Sequence, residues 1–406
     1  MKKIELEIKA LSPLAIGRKK PGGNISEAET FIPGSVIRGA VAGQILKEAN
    51  QEIEEGDDFH KLFLSENPAI FQNAYPGDAK NTRVLPTTVL SSKRQSGFKS
   101  EDKNGVFDIL IDRFCAENYS QIYDPNCPTE KTTYGERVDN FSGFYAENIG
   151  EYSTTSAKTR LLTRVGINRS RATSEENVLY SIKVLNESKQ QIKKPEFVIY
   201  KSAILVPDDL VDSLHRFIDI HQNNFRLGGA SSRGLGKVKI TAKKQSKIQS
   251  NLENRINQFN KKLRTRCNEW GNIFGKISEI PDNRIYFTID LQADAILTEN
   301  WQRTTVISET MLQQVTGVND SSLKLHASYS SYDYRSGWNT AWGLMKDVEL
   351  VTNRGGVYLF STDNKELWLK AWEDLEIYGI GDRTSEGFGQ VQICNEFHLV
   401  LREEAK

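Results

Sequence analysis

"RLGGASSRGLGKVKI" occupies Arg226–Ile240, and "YGIGDRTSEGFGQVQI" occupies Tyr378–Ile393. Offset by 153 residues without a gap, the two share Gly228/Gly381, Ser232/Ser385, Gly234/Gly387, Gly236/Gly389, Val238/Val391 and Ile240/Ile393. Each ends in an alternation (Val238, Ile240; Val391, Ile393) with the two-residue period of a half-buried strand. The glycines ahead of it permit positive φ or close approach by another backbone. Each stretch therefore predicts a glycine-rich loop feeding a terminal strand. Their recurrence predicts two related units.

Working outward from the first loop, Lys3–Ala10 alternates as a strand, followed by a turn at Pro13 and a basic loop, "GRKKPGGN" (Gly17–Asn24). In "FIPGSVIRGAVAGQILKEA", Ile37, Val41 and Ile45 recur at helical spacing, with Ser35 at the expected N-cap after Pro33-Gly34. Residues 67–152 are rich in turns and aromatics and read as a long insertion, of which "SSKRQSGFKSEDKNG" (Ser91–Gly105) has the composition of a mobile basic loop. Arg164–Ile167, Val178–Val184, Phe197–Tyr200 and Ala203–Val206 read as strands, and Asp208–Asn223 as a helix. Strand, helix, strands, helix, strand is the split βαβ order of a ferredoxin-like unit. After a polar, helix-prone connector, "RIYFTIDLQADAIL" (Arg284–Leu297) parallels "KIELEIKALSPLAI" (Lys3–Ile16). Two strands in "GWNTAWGLMKDVELVTNRGGVYLF", a helix at Asn364–Leu375 and the second glycine loop complete the copy. The expected class is α+β, with two ferredoxin-like (RRM-like) domains in tandem: residues 1–242 with the insertion, a connector over 243–280, and 281–406.

The chain has 406 residues, 38% apolar and 26% charged, with a mean hydropathy of −0.51. That is the composition of a soluble globular protein. No apolar run approaches the roughly 20 residues that cross a bilayer, and the N-terminus alternates like a strand instead of forming the apolar core of a signal peptide. A cytoplasmic location is the default expectation. Cys115, Cys127, Cys267 and Cys394 are too scattered for a disulfide framework or a four-ligand zinc site; buried thiols, and no metal or other cofactor, are expected.

Lys+Arg and Asp+Glu balance at 53 each, so nucleic-acid binding cannot be argued from net charge. The distribution is more informative. Ile220–Leu252 contains seven basic residues and no acid, and Lys158–Arg171 contains five and none. Segregated charge of this kind can present a phosphate-binding face on a neutral protein. Gly and Ser in the loops bring N–H and hydroxyl donors close to a phosphodiester, and Arg233 or Arg383 adds a charge that pairs with phosphate. The plainer alternative is that the glycines only turn the chain. Ser35 and Arg38 sit one helical turn apart near a helix N-terminus, where a phosphate is favoured. Arg164, Arg169 and Arg171 alternate with apolar or small residues, as in a hairpin reaching along RNA. Neither a G-x-G-x-x-G after a first strand nor a G-x-x-x-x-G-K-[ST] occurs, which excludes the common dinucleotide and NTPase sites.

"IPGSVIRGA" (Ile32–Ala40) and "GGASSRGLGKV" (Gly228–Val238) resemble the two hallmark motifs of the CRISPR-associated RAMP superfamily. "RVGINRSRATSEENVLYSIKVL" (Arg164–Leu185) is similar to the central hairpin of type III effector subunits, and "ALSPLAIGRKKPGGNISEAETFIPGSVIRGA" to the two-domain, group-5-like RAMP protein of type III-D systems. The resemblance implies tandem RRM-like domains in a non-catalytic subunit of a crRNA-guided ribonucleoprotein. Such a subunit holds the crRNA 5′ handle beside a polymerase-like large subunit and repeating backbone subunits, with target RNA nearby. It carries RNA contact onto Ser35 and Arg38 in the motif helix and onto Ser231, Ser232 and Arg233 in the first loop; the repeat extends the expectation to Arg383 and Ser385. The competing reading is a RAMP endoribonuclease. His221 could act as a general base, Asp108 and Asp112 could share a helix face and hold a metal, and Asp139 is the loop aspartate to consider. Isolated histidines and acids flanking an apolar stripe favour the non-catalytic reading.

Overall fold

The structure is a computed structural model that describes residues 1–18, 27–49, 54–77, 82–129, 135–148, 150–168, 170–171, 173–189, 196–245, 251–275, 280–281, 283–339 and 343–406. Most of the basic loop after Pro13, including Lys19 and Lys20, and the predicted contact residue Arg169 lie outside the described residues.

Strand β1 (Lys2–Ala10) turns Ile4, Leu6, Ile8 and Ala10 inward and its charged residues outward. It is followed by α1 (Gly34–Glu48), β2 (Ile70–Phe71), the hairpin β3 (Thr159–Asn168)–β4 (Thr173–Leu185), β5 (Ile199–Val206), α3 (Val211–Ile220) and β6 (Val238–Gln245), with α2 (Leu110–Asn118) inside the insertion. The first sheet runs β6-β1-β5-β2, all antiparallel, with Ile8 opposite both Tyr200 and Ile240. A long helix, α4 (Leu252–Phe274), forms the connector. The second half contains β7 (Ile285–Leu291), the hairpin β8 (Leu297–Glu299)–β9 (Gln302–Thr304), α5 (Glu309–Thr316), β10 (Lys324–Tyr329), β11 (Tyr332–Arg335), β12 (Glu349–Thr352), β13 (Val357–Thr362), α6 (Lys365–Tyr378) and β14 (Val391–Ile393). Its sheet runs β10-β13-β7-β14. Counted within each half, both sheets have the order second-third-first-fourth.

Helix α5 was not expected from the sequence, although its signals are present. Ser308 caps it by accepting from the Met311 N–H at 3.0 Å, and Gly317 ends it with φ +69. Helix α6 buries Trp368, Ala371, Trp372 and Leu375 at i, i+3, i+4 and i+7. Its Trp372 ring lies 4.8 Å from Phe287 of β7.

Spatially, the insertion completes the second core. Leu110, Ile111 and Phe114 of α2 join Phe287, Phe360 and Trp372 in one apolar cluster. Three sequence expectations fail here. Cys115 and Cys267 form a disulfide between α2 and α4, with Cα atoms 5.2 Å apart across 152 residues of sequence; distance in sequence says nothing about distance after folding. Asp108 and Asp112 do not share a helix, because α2 starts at Leu110. Asp112 accepts from Arg266 Nε at 2.6 Å and Trp270 Nε1 at 3.1 Å, while Asp108 faces the C-terminal tail. The Ser91–Gly105 stretch is also anchored. Ser91 Oγ donates to the Gly105 carbonyl and accepts from Gly97 N–H, Ser92 Oγ donates to Glu136, and Phe98 is buried against Phe397. An internal apolar residue and two buried hydroxyls outweigh the polar composition of that segment.

The tail locks this arrangement. Lys406 and Val106 exchange both backbone hydrogen bonds, and the fully buried His398 sits between two carboxylates. Its Nε2 is 2.7 Å from Asp290 Oδ1 and its Nδ1 is in ionic contact with Asp108 Oδ2 at 3.1 Å. Burial by itself would drive the proton off; Asp290 and Asp108 outweigh it and hold the imidazole pKa up at about 10. Three segments distant in sequence thus share one buried cation.

Two predictions follow from these contacts. The folded-state pKa of His398 lies above the ordinary histidine value of about 6.5, so its stabilisation is complete below that value and disappears as pH rises through about 10. Melting temperature should therefore fall between about pH 7 and pH 10. His398→Gln, already weakened by about 3–5 kcal/mol at neutral pH, should lack the histidine-dependent part of that slope; parallel curves would refute the clasp. Non-reducing peptide mapping should recover a Cys115–Cys267 cross-link, with Cys127 and Cys394 alkylated only after unfolding.

Candidate nucleic-acid interface

The two glycine loops are superposable in their backbone bonding. In the first, Gly229 N–H donates to Ala15 O (2.8 Å), Leu227 N–H to Gly236 O (2.9 Å) and Gly236 N–H to Pro13 O (2.9 Å). In the second, Asp382 N–H donates to Ile296 O (2.9 Å), Ile380 N–H to Gly389 O (2.8 Å) and Gly389 N–H to Asp294 O (2.9 Å). Each loop thus clasps the chain leaving the first strand of its own half. The glycines permit that approach: a Cβ on Gly228 would lie 2.5 Å from Ala15 O, and one on Gly381 would lie 2.4 Å from Ile296 O. Both also have φ near +85. Single 3-10 turns follow, Ser231–Arg233 and Thr384–Glu386.

From this common scaffold the loops diverge. Ser231, Ser232 and Arg233 are exposed. Arg233 Nη1 donates to Tyr180 Oη at 2.7 Å, with its guanidinium 5.2 Å from the Tyr180 ring. Tyr180 stands on β4 directly opposite Arg164 of β3, and the root of that hairpin bridges Leu14 to Leu185 beside the loop's own anchor at Ala15. Hairpin and loop therefore flank Pro13–Ile16, bringing Arg164 and Arg233 to one tyrosine. Arg226 and Lys237, both exposed, bridge across the loop's neck. Among the described residues no carboxylate pairs with Arg164, Arg226, Arg233 or Lys237. Arg171 is exposed at the hairpin tip. Tyr180 went unnoticed in the sequence, where one tyrosine in a β-rich run gives no signal.

The second loop faces inward. At the position of Arg233 it carries Glu386, and Arg383 aligns with Ala230. Arg383 Nη2 donates to Glu386 at 2.6 Å, and Lys346 lies 3.7 Å from the same carboxylate. Burial opposes ionisation of Glu386, but Arg383, Lys346 and Arg38 together hold its carboxyl below the ordinary range. The loop packs on the N-terminus of α1. Asn73 Oδ1 accepts from Gly34 N–H at 2.8 Å while its Nδ2 donates to Gly387 O at 3.1 Å. Ser35 is consequently not the N-cap; the helix starts at Gly34, Pro33 precedes it, and the cap is supplied by a strand-end asparagine 39 residues away. Arg38 donates to Phe63 O at 2.7 Å and lies 5.3 Å from its ring. The expected contact residues thus fall into two groups: Arg164, Arg171, Ser231, Ser232 and Arg233 on the hairpin and outer loop, and Ser35, Arg38, Arg383 and Ser385 at the inner junction.

Candidate catalytic groups are no better placed. His221 caps α3, with Phe217 4.6 Å away and Glu48 at 3.7 Å. Asp139 is exposed and accepts from the neighbouring Asn140 N–H at 2.9 Å. Among the described residues no group of three or more His, Cys, Asp or Glu could hold a metal ion, and no helix is long and apolar enough to cross a membrane.

Compared with known proteins, residues 7–239 match the RAMP superfamily. No curated protein matches the chain. Similar solved structures include a chain of type III-B Cmr-beta bound to cognate target RNA and AMPPnP (12% identity, covering 87% of this chain and 86% of that one, TM-score 0.39). A chain of the same assembly with target RNA alone gives the same values. A chain of the apo state is 13% identical, covers 59% of this chain and 97% of that one, and has a TM-score of 0.31.

The junction yields a sharp stability test. Ala is a better helix former than Gly by about 1 kcal/mol, yet a Cβ at position 34 would meet Phe71 O at 1.9 Å and Glu386 O at 2.8 Å. Gly34→Ala should therefore lower stability by about 1–3 kcal/mol in urea titrations, whereas Gly39→Ala, with open space around it, should not.

Proposed function

The chain belongs to the RAMP superfamily, and on that premise we propose that it is a non-catalytic, crRNA-binding subunit of a type III, III-D-like, CRISPR effector complex. In this reading the two halves are duplicated ferredoxin-like domains. The first holds the crRNA, at its 5′ handle in the manner of a group-5 subunit, and the assembly brings it beside a polymerase-like large subunit and backbone subunits. The observation that carries the proposal is the outer glycine loop. Arg233 contacts Tyr180, Arg164 stands opposite Tyr180 on the facing strand, exposed serine hydroxyls and positive-φ backbone lie beside them, and no acid among the described residues neutralises the cations. Guanidinium and hydroxyl donors on an exposed ridge suit a phosphodiester, and Tyr180 offers a ring for an unpaired base. The inner loop, with Arg383 held by Glu386, serves the junction between halves and not RNA.

Binding of labelled repeat-derived RNA tests this. Arg233→Ala and Arg164→Ala should each weaken retention and lower the log–log salt slope by about 0.7, the single-strand value per phosphate contact. Arg383→Ala should leave that slope unchanged. Identical slopes for all three would refute the assignment. Incubation with repeat RNA and guide-paired target, with and without Mg²⁺, addresses the ribonuclease alternative. Cleavage abolished by His221→Ala or Asp139→Ala would replace the non-catalytic reading.

A further inference from the structure

A cleft of about 830 Å³ lies between the outer face of the first sheet and the second half. Strand alternation sets its first wall. With Ile4, Leu6 and Ile8 turned into the core, Glu5 and Glu7 of β1, Lys201 and Ala203 of β5, and Thr241 and Lys243 of β6 share the opposite face. The second wall comes from Arg255 at the start of α4, Glu376 near the end of α6, and Gln390 and Gln392 at β14. Ala203, Leu205 and Val391, none more than 6% exposed, give the cleft an apolar floor. Its volume falls within the roughly 300–1,000 Å³ of small-molecule sites.

The polar groups decide the ligand. Several charges are matched across or along the walls: Lys3 with Glu5 at 3.5 Å, Lys201 with Glu7, and Arg255 Nη2 with Glu376 at 2.6 Å. Hydrogen-bond donors are left over. Arg255 is only 8% exposed, yet its Nε has no hydrogen-bond partner among the described residues, and neither has the buried Nε2 of Gln390. Exposed Lys243 stands opposite Glu5, which pairs instead with Lys3, and no carboxylate pairs with Lys243 among the described residues. Buried donors left unpaired are costly, so the cleft favours an acceptor, and the unmatched lysine favours one with negative charge. The primary amides of Gln390 and Gln392 each combine donor and acceptor, the pattern that matches a base edge. The apolar floor suits a flat ring. An anionic acceptor, a hydrogen-bonding edge and a flat apolar body together describe a nucleotide.

We infer that this cleft binds a nucleotide through its phosphate and base edge, either a free nucleoside monophosphate or one nucleotide of an RNA strand, with Lys243, Arg255 and Gln390 as donors. The site is apart from the outer loop. Lys243 stands five residues beyond Val238 on β6, roughly 17 Å along the strand, and the inference does not require that loop to hold RNA. Equilibrium dialysis of the full chain with labelled AMP, GMP, CMP and UMP tests it, with the corresponding nucleosides and inorganic phosphate as partial ligands. At least one monophosphate should bind, at least tenfold more tightly than its nucleoside or phosphate alone. Lys243→Ala and Gln390→Leu should each weaken that binding at least tenfold, Lys243→Arg should retain most of it, and Arg233→Ala should not change it. Lys243 is exposed, so its variants should keep the wild-type melting temperature and decide the matter even if Gln390→Leu lowers stability. Displacement of the monophosphate by unlabelled single-stranded RNA from the Arg233→Ala chain would identify an RNA strand as the source, and no displacement a free nucleotide. The inference is overturned if no monophosphate binds, if Lys243→Ala binds normally, or if Arg233→Ala abolishes binding, which would move the site to the outer loop. Nucleotide binding by a chain that retains no repeat-derived RNA would instead refute the RNA-binding proposal and leave the cleft standing.

Discussion

A loop backbone must pass within hydrogen-bonding distance of the chain leaving the first strand, and the rest of the architecture depends on that approach. Gly229 N–H to Ala15 O and Asp382 N–H to Ile296 O are the same bond made twice. Any side chain at Gly228 or Gly381 would fall about 2.5 Å from the carbonyl it must approach. Each loop joins a packed helix to the closing strand of its sheet. If this passage failed, β6 or β14 would lose its register and the adjoining core its lid.

On this shared scaffold the two copies serve different purposes through a single charge reversal. Arg233 points to solvent and Tyr180, while Glu386 at the matching position gathers Arg383, Lys346 and Arg38 under the first helix. The inner loop thereby seals a helix N-terminus that would otherwise be open to an anion. The same loop backbone thus occurs once as an exposed basic ridge and once as an internal joint.

The insertion ties the halves together more strongly than a linker could. Its helix α2 lies in the second core, its disulfide reaches the connector helix, and its Asp108 shares His398 with Asp290. Buried charges of this kind are costly unless each is compensated. Here the Thr88 hydroxyl and Leu110 N–H also donate to Asp108, and the Thr288 hydroxyl and Asn395 N–H to Asp290. The charges are paired only when β7, the insertion and the tail are all in place, so they specify that arrangement.

Local sequence was sufficient wherever periodicity or backbone stereochemistry acts over a few residues. The alternation of β1, the spacing of Ile37 and Val41, the stripe of Trp368, Trp372 and Leu375, and the glycine loops with their repeat were all legible, as were the basic residues of the outer ridge. The capping of Gly34 by Asn73, the pairing of Cys115 with Cys267, the burial of His398 between two aspartates and the contact of Arg233 with Tyr180 were not. Each joins residues tens to hundreds of positions apart. Chain order carries no trace of such proximity, because hydrogen bonds, ion pairs and disulfides depend on distances that exist only after the sheets and helices have packed. The same holds for the opposite fates of the two loops: their glycines specify one shape, and only the neighbouring half determines which copy faces solvent.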